Sequence, residues 1–600
     1  MQVSSLHKFH IPVMGLAYTI DSPIKVAHFG IASVMSIVED GLVEMMRKHY
    51  YNAIQEPFEE IPRFEPDYRA KRITDYLNLV NKIVQQKLEK VKQAAFEAGS
   101  EIVQYFEMLP NDHALKQVYN QMLQLSEKVE QLQLQNYLRS QVVAGSIDVN
   151  IMTKLDNEKT DKNGNIIEDG SEAVAALRGY ANSNLTHSAI VFSAGMNPRL
   201  YNYLEKCDAF DADENGYFKK RVIIKVSDYR SALIQGKYLA KKGIWVSEFR
   251  IESGLNCGGH AFATDGILIG PILEEFKQKK NELIEAIFLI YNTALAAKGK
   301  RTFAQPHSVS ITAQGGIGTN EEASFLEQYY DINGTGWGTP FLLVPEATTV
   351  DEQTLSLLQK ATEKDVLLSK NSPLGVHFHY LKGTTSDVEK NVRICNGKPG
   401  SPCSEKHLAF NTEFTDEPIC TASIKYQRLK IADLQSKGLP TNEYNEQLTE
   451  VLDKECLCVG LSNAASIVYN VPFVKNQNAV NICPGPNIVN FSKVVSLATM
   501  VDHIYGRTNI IDIQNRPHLF IAELKLYIQY IKKQIEKENN QVLDNKRKKY
   551  YQDFYKNLMS GIQYYRELVA ENIQNHSLFI QGLDKAETEI HLIFFQFSSN

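Results

Sequence analysis

The stretch Ile311-Thr-Ala-Gln-Gly-Gly-Ile-Gly318, followed by Gly334-Thr-Gly-Trp-Gly-Thr-Pro-Phe341, decides how this chain is read. An apolar, strand-like run enters paired glycines, an acidic helix start follows, and a second strand-like run carries glycines of its own. Glycine lets backbone N–H groups come close to an anion, and a helix beginning just behind adds the positive end of its dipole. Two neighbouring strand ends of this kind predict a phosphate cradle. Either one alone would read as an ordinary glycine turn.

Working outward, eight runs have strand character: Phe9–Met14, Ile31–Ile37, Ile147–Met152, Ala189–Ser193, Val222–Val226, Ile244–Ile251, Ser308–Ala313 and Ile332–Leu343. Segments with helical spacing, such as Tyr229–Lys242 and Glu321–Tyr330, alternate with them. Eight βα units predict an α/β fold, a closed (β/α)8 TIM barrel over residues 1–383, with its site at the C-terminal ends of the strands. An open doubly wound sheet is the alternative. Residues 51–140 are too long for a barrel loop. Ile73, Tyr76, Leu77, Val80, Ile83, Val84, Leu88 and Val91 recur at helical spacing, as do Val118, Met122, Leu125, Val129 and Leu132 beyond Pro110. They predict an inserted helical hairpin that serves packing or oligomerisation. Residues 384–600 form a Cys-containing, mainly helical extension, with Cys-rich loops over 384–490 and helices over 491–600. Its basic run Lys546-Arg-Lys-Lys549 reads as a solvated helix face.

Composition narrows the function classes. Six hundred residues at 43% hydrophobic and 22% charged can bury a large core. A net charge of −6 gives no argument for nucleic acid or an anionic membrane as partner. The first residues carry no secretory pattern, and the apolar run Leu283–Ala297 is too short and polar to span a bilayer. Eight cysteines in so long a chain make no disulfide framework. A small-molecule substrate in the cytoplasm is the expected setting, with a homo-oligomer left open.

After the sixth run comes Glu252-Ser-Gly-Leu-Asn-Cys-Gly-Gly-His260. A histidine on a glycine-rich turn at a barrel's catalytic face suits acid–base work, because imidazole titrates near neutrality. A lone histidine is as often structural. Lys225, inside Val222-Ile-Ile-Lys-Val226, and Asn150, inside Ile147-Asp-Val-Asn-Ile151, are polar residues in apolar strands. If buried they need partners, which a polar cofactor would supply; pointing outward, they would simply reach water.

From Ile11 to about Gly383, leaving out the helical insertion, the chain resembles the nitronate monooxygenase (2-nitropropane-dioxygenase-like) family of FMN-dependent TIM-barrel enzymes. The resemblance rests on Gly15-Leu-Ala17 after the first strand, Cys257-Gly-Gly-His260 after the sixth, Gly315-Gly-Ile317 after the seventh and Gly338-Thr339 at the eighth. Leu357–Gly383 is similar to the short segment that family adds. The resemblance implies that Gly315, Gly316, Ile317, Gly338 and Thr339 bind the FMN phosphate through backbone groups. It further implies that Gly15, Leu16 and Ala17 line the isoalloxazine, that Asn150 and Lys225 hydrogen-bond the flavin, and that Gly258 approaches it through its backbone. His260 matches the catalytic base. Ser253 stands where some relatives have an aspartate. The implied activity is oxidation of a small substrate through the flavin, with O2 as acceptor. The alternatives are an FMN-dependent enoyl-thioester reductase, which shares the Gly-Gly-His turn, and a flavin-binding scaffold without turnover.

Six of the eight cysteines lie between Cys395 and Cys483. None has the tight paired spacing of a zinc ribbon or a common ferredoxin cluster. Buried thiols are the first expectation and no metal ligand is assigned, while a metal or iron–sulfur site stays open.

Overall fold

The structure is a computed structural model. It describes residues 6–599 apart from 154–155, 161–162, 194, 259–263, 512, 514–515, 539–543 and 573–575. Runs rich in Val, Ile and Phe form parallel strands, as β-branched and aromatic side chains favour. They are β1 (Phe9–Ile11), β2 (Ala32–Ser36), β3 (Ile147–Ile151), β4 (Ser188–Phe192), β5 (Lys220–Val226), β6 (Val246–Glu252), β7 (Ser310–Gln314) and β8 (Gly334–Gly336). The strands pair in sequence order, and β1 closes on β8 through Phe9 opposite Thr335 and His10 opposite Gly336. The chain is a (β/α)8 barrel.

Because side chains alternate along a strand, each strand sends one set to the helical ring and the other into the barrel. Ile190, Ile224 and Met35 join the large outer core. Val34, Ala189, Val191 and Ile223 turn inward and, with Val13, make a small separate apolar cluster. On the opposite side, β6 and β7 send in polar residues. Arg250 donates to Glu248 at 2.9 Å and Thr312 donates to the same carboxylate at 2.6 Å. The barrel interior is thus apolar on the β2–β4–β5 side and ionic on the β6–β7 side.

The eighth strand is much shorter than its apolar run. After Gly336 the chain turns through Trp337 and Gly338 into a short 3-10 helix, Thr339–Leu343, that carries Pro340 at its start. Residues 51–140 also exceed a hairpin. They hold the helices Tyr68–Gln93, Glu101–Met108, Ala114–Gln124 and Lys128–Gln141. The first lies in the ring, packed between the helices Asp40–Ala53 and Glu172–Asn182. Two features seat it there. Gly179 lets the helices approach so closely that a Cβ at that position would lie 2.8 Å from the Ala70 carbonyl oxygen. In addition, Arg69 and Arg72 both donate to the buried Asp40, at 2.5 and 3.0 Å. Removing Asp40 would leave two uncompensated buried guanidiniums, a cost on the order of 3–5 kcal/mol.

Beyond the barrel, Val366–Ser369 and Phe378–Leu381 form a two-stranded antiparallel ribbon. Residues 384–490, expected as loops, contain the helices Thr385–Cys395, Ile424–Ser436 and Thr441–Leu452. The helices Leu519–Glu538, Asn545–Asn572 and His576–Ser599 follow and pack on one another, and the first two also pack on the barrel helix Ile269–Ala297. Among the described residues, no helix is long and apolar enough to cross a membrane.

His407 pins the extension to the barrel. Its buried imidazole meets Glu39, just after β2, at 2.5 Å and Glu172, at the start of a ring helix, at 3.2 Å. Burial alone would lower its pKa, but the two carboxylates more than offset this and raise it from 6.5 to about 10. A group whose folded pKa is raised stabilises fully below its unfolded value and loses that contribution as pH rises through the folded one. His407→Gln is therefore expected to be less stable than the native chain near neutrality, with the two urea midpoints converging between about pH 6.5 and pH 10. A gap that stays constant over that range would refute the pinning role.

Candidate functional site at the barrel mouth

The C-terminal ends of β6, β7 and β8 and the loop after β1 surround a crevice lined by Pro12, Asn256, Gln314, Gly316, Thr339 and Asn487 among others. Gly315 and Gly316 have φ of +106° and +79°, a region open to glycine and strained for other residues. Space is equally restrictive, since a Cβ on Gly316 would lie 2.5 Å from Leu255 Cδ1. Behind the turn, Arg516 donates to the Gly316 carbonyl at 2.8 Å, and Asn487 Nδ2 donates to the Ile317 carbonyl at 3.2 Å. The carbonyl of one residue and the N–H of the next point opposite ways across a planar peptide. With the Gly316 carbonyl held by Arg516, the Ile317 N–H faces the other side. Among the described residues, no hydrogen bond uses the N–H of Gly316, Ile317, Gly338 or Thr339. Buried backbone donors are rarely left unpaired, so these four groups mark a place for an acceptor.

The helix Asn320–Tyr330 starts directly behind, with Thr319 capping the Glu322 N–H. Its first turn is already served by a protein carboxylate. Glu322 accepts from the Gly318 N–H at 2.9 Å and pairs with Arg516 at 2.7 Å, both side chains being buried. Burial opposes its ionisation, but the Arg516 guanidinium holds its pKa below the ordinary carboxylate value.

Across the mouth, Glu252 gathers three donors on one oxygen: Lys225 at 3.0 Å, Gln314 at 2.7 Å and Asn256 at 3.4 Å. This links Lys225 to the glycine turn, since Gln314 precedes Gly315. Among the described residues, the Oδ1 atoms of Asn256 and Asn487 are buried without a hydrogen-bond partner, both side chains border the crevice, and the Gln314 side chain faces the buried His10 imidazole. Asn150 lies on β3 next to Val191 of β4, and the Ser193 hydroxyl donates to its amide oxygen at 3.5 Å.

The remaining sequence-predicted residues form the rim. Gly15 turns the chain after β1 with φ of +63°, Leu16 is half-buried and Ala17 is fully buried. Gly258 does not open toward the crevice. Its Cα is wedged against the β1 loop, where a Cβ would stand 2.5 Å from Met14 Cα. Its N–H donates to the Cys483 carbonyl at 3.0 Å. His260 lies outside the described residues. Cys257 is excluded as a nucleophile: its thiol donates to the Cys483 carbonyl, and burial raises its pKa to about 12.

Several functional candidates come from the extension, which sequence reasoning did not connect with the site. The segment Cys483-Pro-Gly-Pro-Asn487 crosses the mouth as a strap. The Gly485 N–H donates to Thr339 Oγ1 at 3.1 Å, and a Cβ on Gly485 would collide with that oxygen at 2.4 Å. The glycine in a Cys-Pro-Gly-Pro run was the one signal available. Glu252 and Gln314 were legible in principle, since each lies two residues beyond an inward-facing residue, Arg250 and Thr312. Arg516 and Glu523 gave no local signal. Compared with known proteins, the chain matches no family model and no curated sequence.

Glu523 answers the serine at position 253. Ser253 Oγ donates to Glu523 at 2.7 Å, and the N–H of Ile269, at the start of the helix Ile269–Ala297, donates to its other oxygen at 2.7 Å. Both ends of the loop that carries His260 are thereby tied to one fully buried carboxyl. Burial raises its pKa from 4.5 to about 7. Its contribution to stability is present below pH 4.5 and is lost as pH rises through 7. Glu523→Gln cannot ionise, and it should gain on the native chain by up to ~3 kcal/mol between about pH 5 and pH 8. Urea midpoints measured across that range check this; a difference independent of pH would refute it.

Proposed function

We propose that the protein is an FMN-dependent oxidoreductase of the nitronate monooxygenase type, acting on a small molecule in the cytoplasm with O2 as acceptor. The observation that carries this reading is the set of four unclaimed backbone N–H groups on the turns after β7 and β8, at the C-terminal face of a closed barrel. Convergent amides of this kind suit a phosphate. The crevice beside these turns would receive the phosphate and ribityl end of the nucleotide. Ribityl hydroxyls are donors, and the amide oxygens of Asn256 and Asn487, unpartnered among the described residues, would serve as acceptors for them.

When bound, FMN would supply two-electron oxidation chemistry. The protein's part is binding, orientation and proton handling. Gly316, Ile317, Gly338 and Thr339 would hold the phosphate, with Arg516 fixing the turn from behind. Lys225 is steadied by Glu252 at 3.0 Å and would donate to the flavin ring. Asn150, Gly15, Leu16 and Ala17 would border the ring. His260 would take the proton from the substrate carbon, a task matched to imidazole near neutrality. The strap Cys483–Asn487 would keep water from the phosphate end.

The test begins with purified protein. Bound flavin is expected in the absorption spectrum, and a colourless protein that takes up no added FMN would sink the reading. Lys225→Met should weaken FMN binding by about ten- to a hundredfold, the loss of one charge-assisted hydrogen bond. His260→Ala should keep the flavin but lose its rapid anaerobic reduction by a nitronate; unchanged reduction would remove the histidine from the mechanism.

A further inference from the structure

The charges that β5 and β6 send into the barrel form two closed pairs. Glu248, Arg250 and Glu252 occupy alternate positions of β6 and share its inward face. Lys225 lies two residues beyond the inward-facing Ile223 on β5. In the register of the two strands Lys225 stands opposite Arg250, yet the two cations use different partners. The Arg250 guanidinium meets Glu248 at 2.8 Å, and the Lys225 ammonium meets Glu252 at 3.0 Å. Among the described residues Lys225 forms no other ion pair. The far wall supplies no second counter-charge, because Val34, Ala189, Val191 and Ile223 fill it. Asp148, two residues further from the mouth than Asn150, is already engaged by Ser146 and by the Ala189 N–H, the latter at 2.8 Å.

Glu252 holds more than the lysine. Gln314 Nε2 and Asn256 Nδ2 donate to the same oxygen, at 2.7 and 3.4 Å. These two donors are neutral, so the group as a whole carries one positive and one negative charge. Both charged side chains are 12% exposed, which leaves little water to screen either. In such surroundings the net charge of the group, more than any one member, sets the potential that a neighbouring ligand meets. An amide at position 252 could accept the same three bonds through its carbonyl oxygen. It could not cancel the ammonium.

We infer that Glu252 is the charge-balancing partner of Lys225, a positioning residue that sets how strongly the mouth favours reduced over oxidised FMN. The inference rests on the proposed flavin reading, in which Lys225 donates to the ring. A flavin that gains two electrons and one proton carries one negative charge more than before. A lone ammonium beside it would favour that reduced form. An ammonium closed by a carboxylate at 3.0 Å favours it far less, and charge placed near the ring is one of the means by which a protein tunes a flavin. The pair would thereby keep the reduced cofactor a strong electron donor, as O2 requires of it.

The test is the midpoint potential of FMN bound to the full chain, measured at FMN concentrations that saturate every variant. Glu252→Gln should raise it, shifting the ratio of affinities for reduced and oxidised FMN roughly tenfold toward the reduced form. Lys225→Met should lower it, and the double variant should return close to the native value, as its net charge does. Glu252→Asp, which keeps the charge, should stay near the native potential. A carboxylate that served only to hold the lysine in place would give a different pattern, with Glu252→Gln shifting the potential in the same direction as Lys225→Met. That pattern, or an unchanged potential in a Glu252→Gln chain that binds FMN, would overturn the inference and leave the flavin reading standing. If Glu252→Gln does not fold, the double variant compared with Lys225→Met isolates the same charge, and equal potentials in those two would overturn it as well. A native chain that takes up no FMN would remove both the inference and the reading beneath it.

Discussion

The hydrogen bond from Arg516 to the Gly316 carbonyl, 2.8 Å long, is the contact on which the proposed site depends. It comes from a residue two hundred positions away, and it does more than hold the turn. By fixing one face of the Gly316–Ile317 peptide plane it fixes the other, so the Ile317 N–H is aimed before any ligand arrives. Preorganised donors of this kind cost little reorganisation when an anion binds. The same guanidinium pairs with Glu322, and Glu322 accepts from the Leu519 N–H at 2.7 Å. One buried ion pair thus joins the glycine turn, the start of a ring helix and the first long helix of the extension. Breaking such a pair by removing one partner is far more costly than never having built it.

The barrel's interior explains why the site lies to one side of the mouth. A buried charge is tolerable only when paired and hydrogen-bonded. The β6–β7 wall meets that condition twice, with Glu248 receiving Arg250 and Thr312 and, two residues further along β6, Glu252 receiving Lys225, Gln314 and Asn256. The opposite wall needs no such pairing, because Val34, Ala189, Val191 and Ile223 fill it. Polar groups with spare capacity therefore collect between β6 and β8, next to the glycine turns. Asn150, on the β3 side, is the one polar residue singled out from the sequence that lies away from this wall.

What was legible in the sequence was what is local. The eight strands declared themselves by short apolar runs between helical segments, and the paired glycines by the conformations they permit. Ile332–Leu343 was over-extended because its apolar residues continue past Gly336, although the chain there turns into a proline-started 3-10 helix. The period of Ile73 to Val91 identified a helix but not its place. That place is set by Gly179 and by Asp40, which receives Arg69 and Arg72, and these pairings are not written in the helix's own pattern. Ser253 is the clearest case. Its sequence neighbours show only that an aspartate is missing, whereas Glu523, 270 residues further on, supplies a carboxylate to the same serine.

The boundary near residue 383 divides the chain but not the site. Taken in chain order, the extension touches successive parts of the mouth. The Leu461 carbonyl receives Ala17, that of Asn481 receives Tyr18, that of Cys483 receives Gly258, and Gly485 meets Thr339. Asn487 meets Ile317, Arg516 meets Gly316 and Glu523 meets Ser253. The path begins on the β1 loop and ends on the β6 and β7 loops, so the extension lies against the rim along its length. Two of these, at Ala17 and Gly258, are backbone–backbone contacts that depend on the course of the chain, and the other five use a side chain. A barrel with only its own loops would leave the crevice open on the side where the strap lies. The residues after the barrel are for that reason a wall of the site.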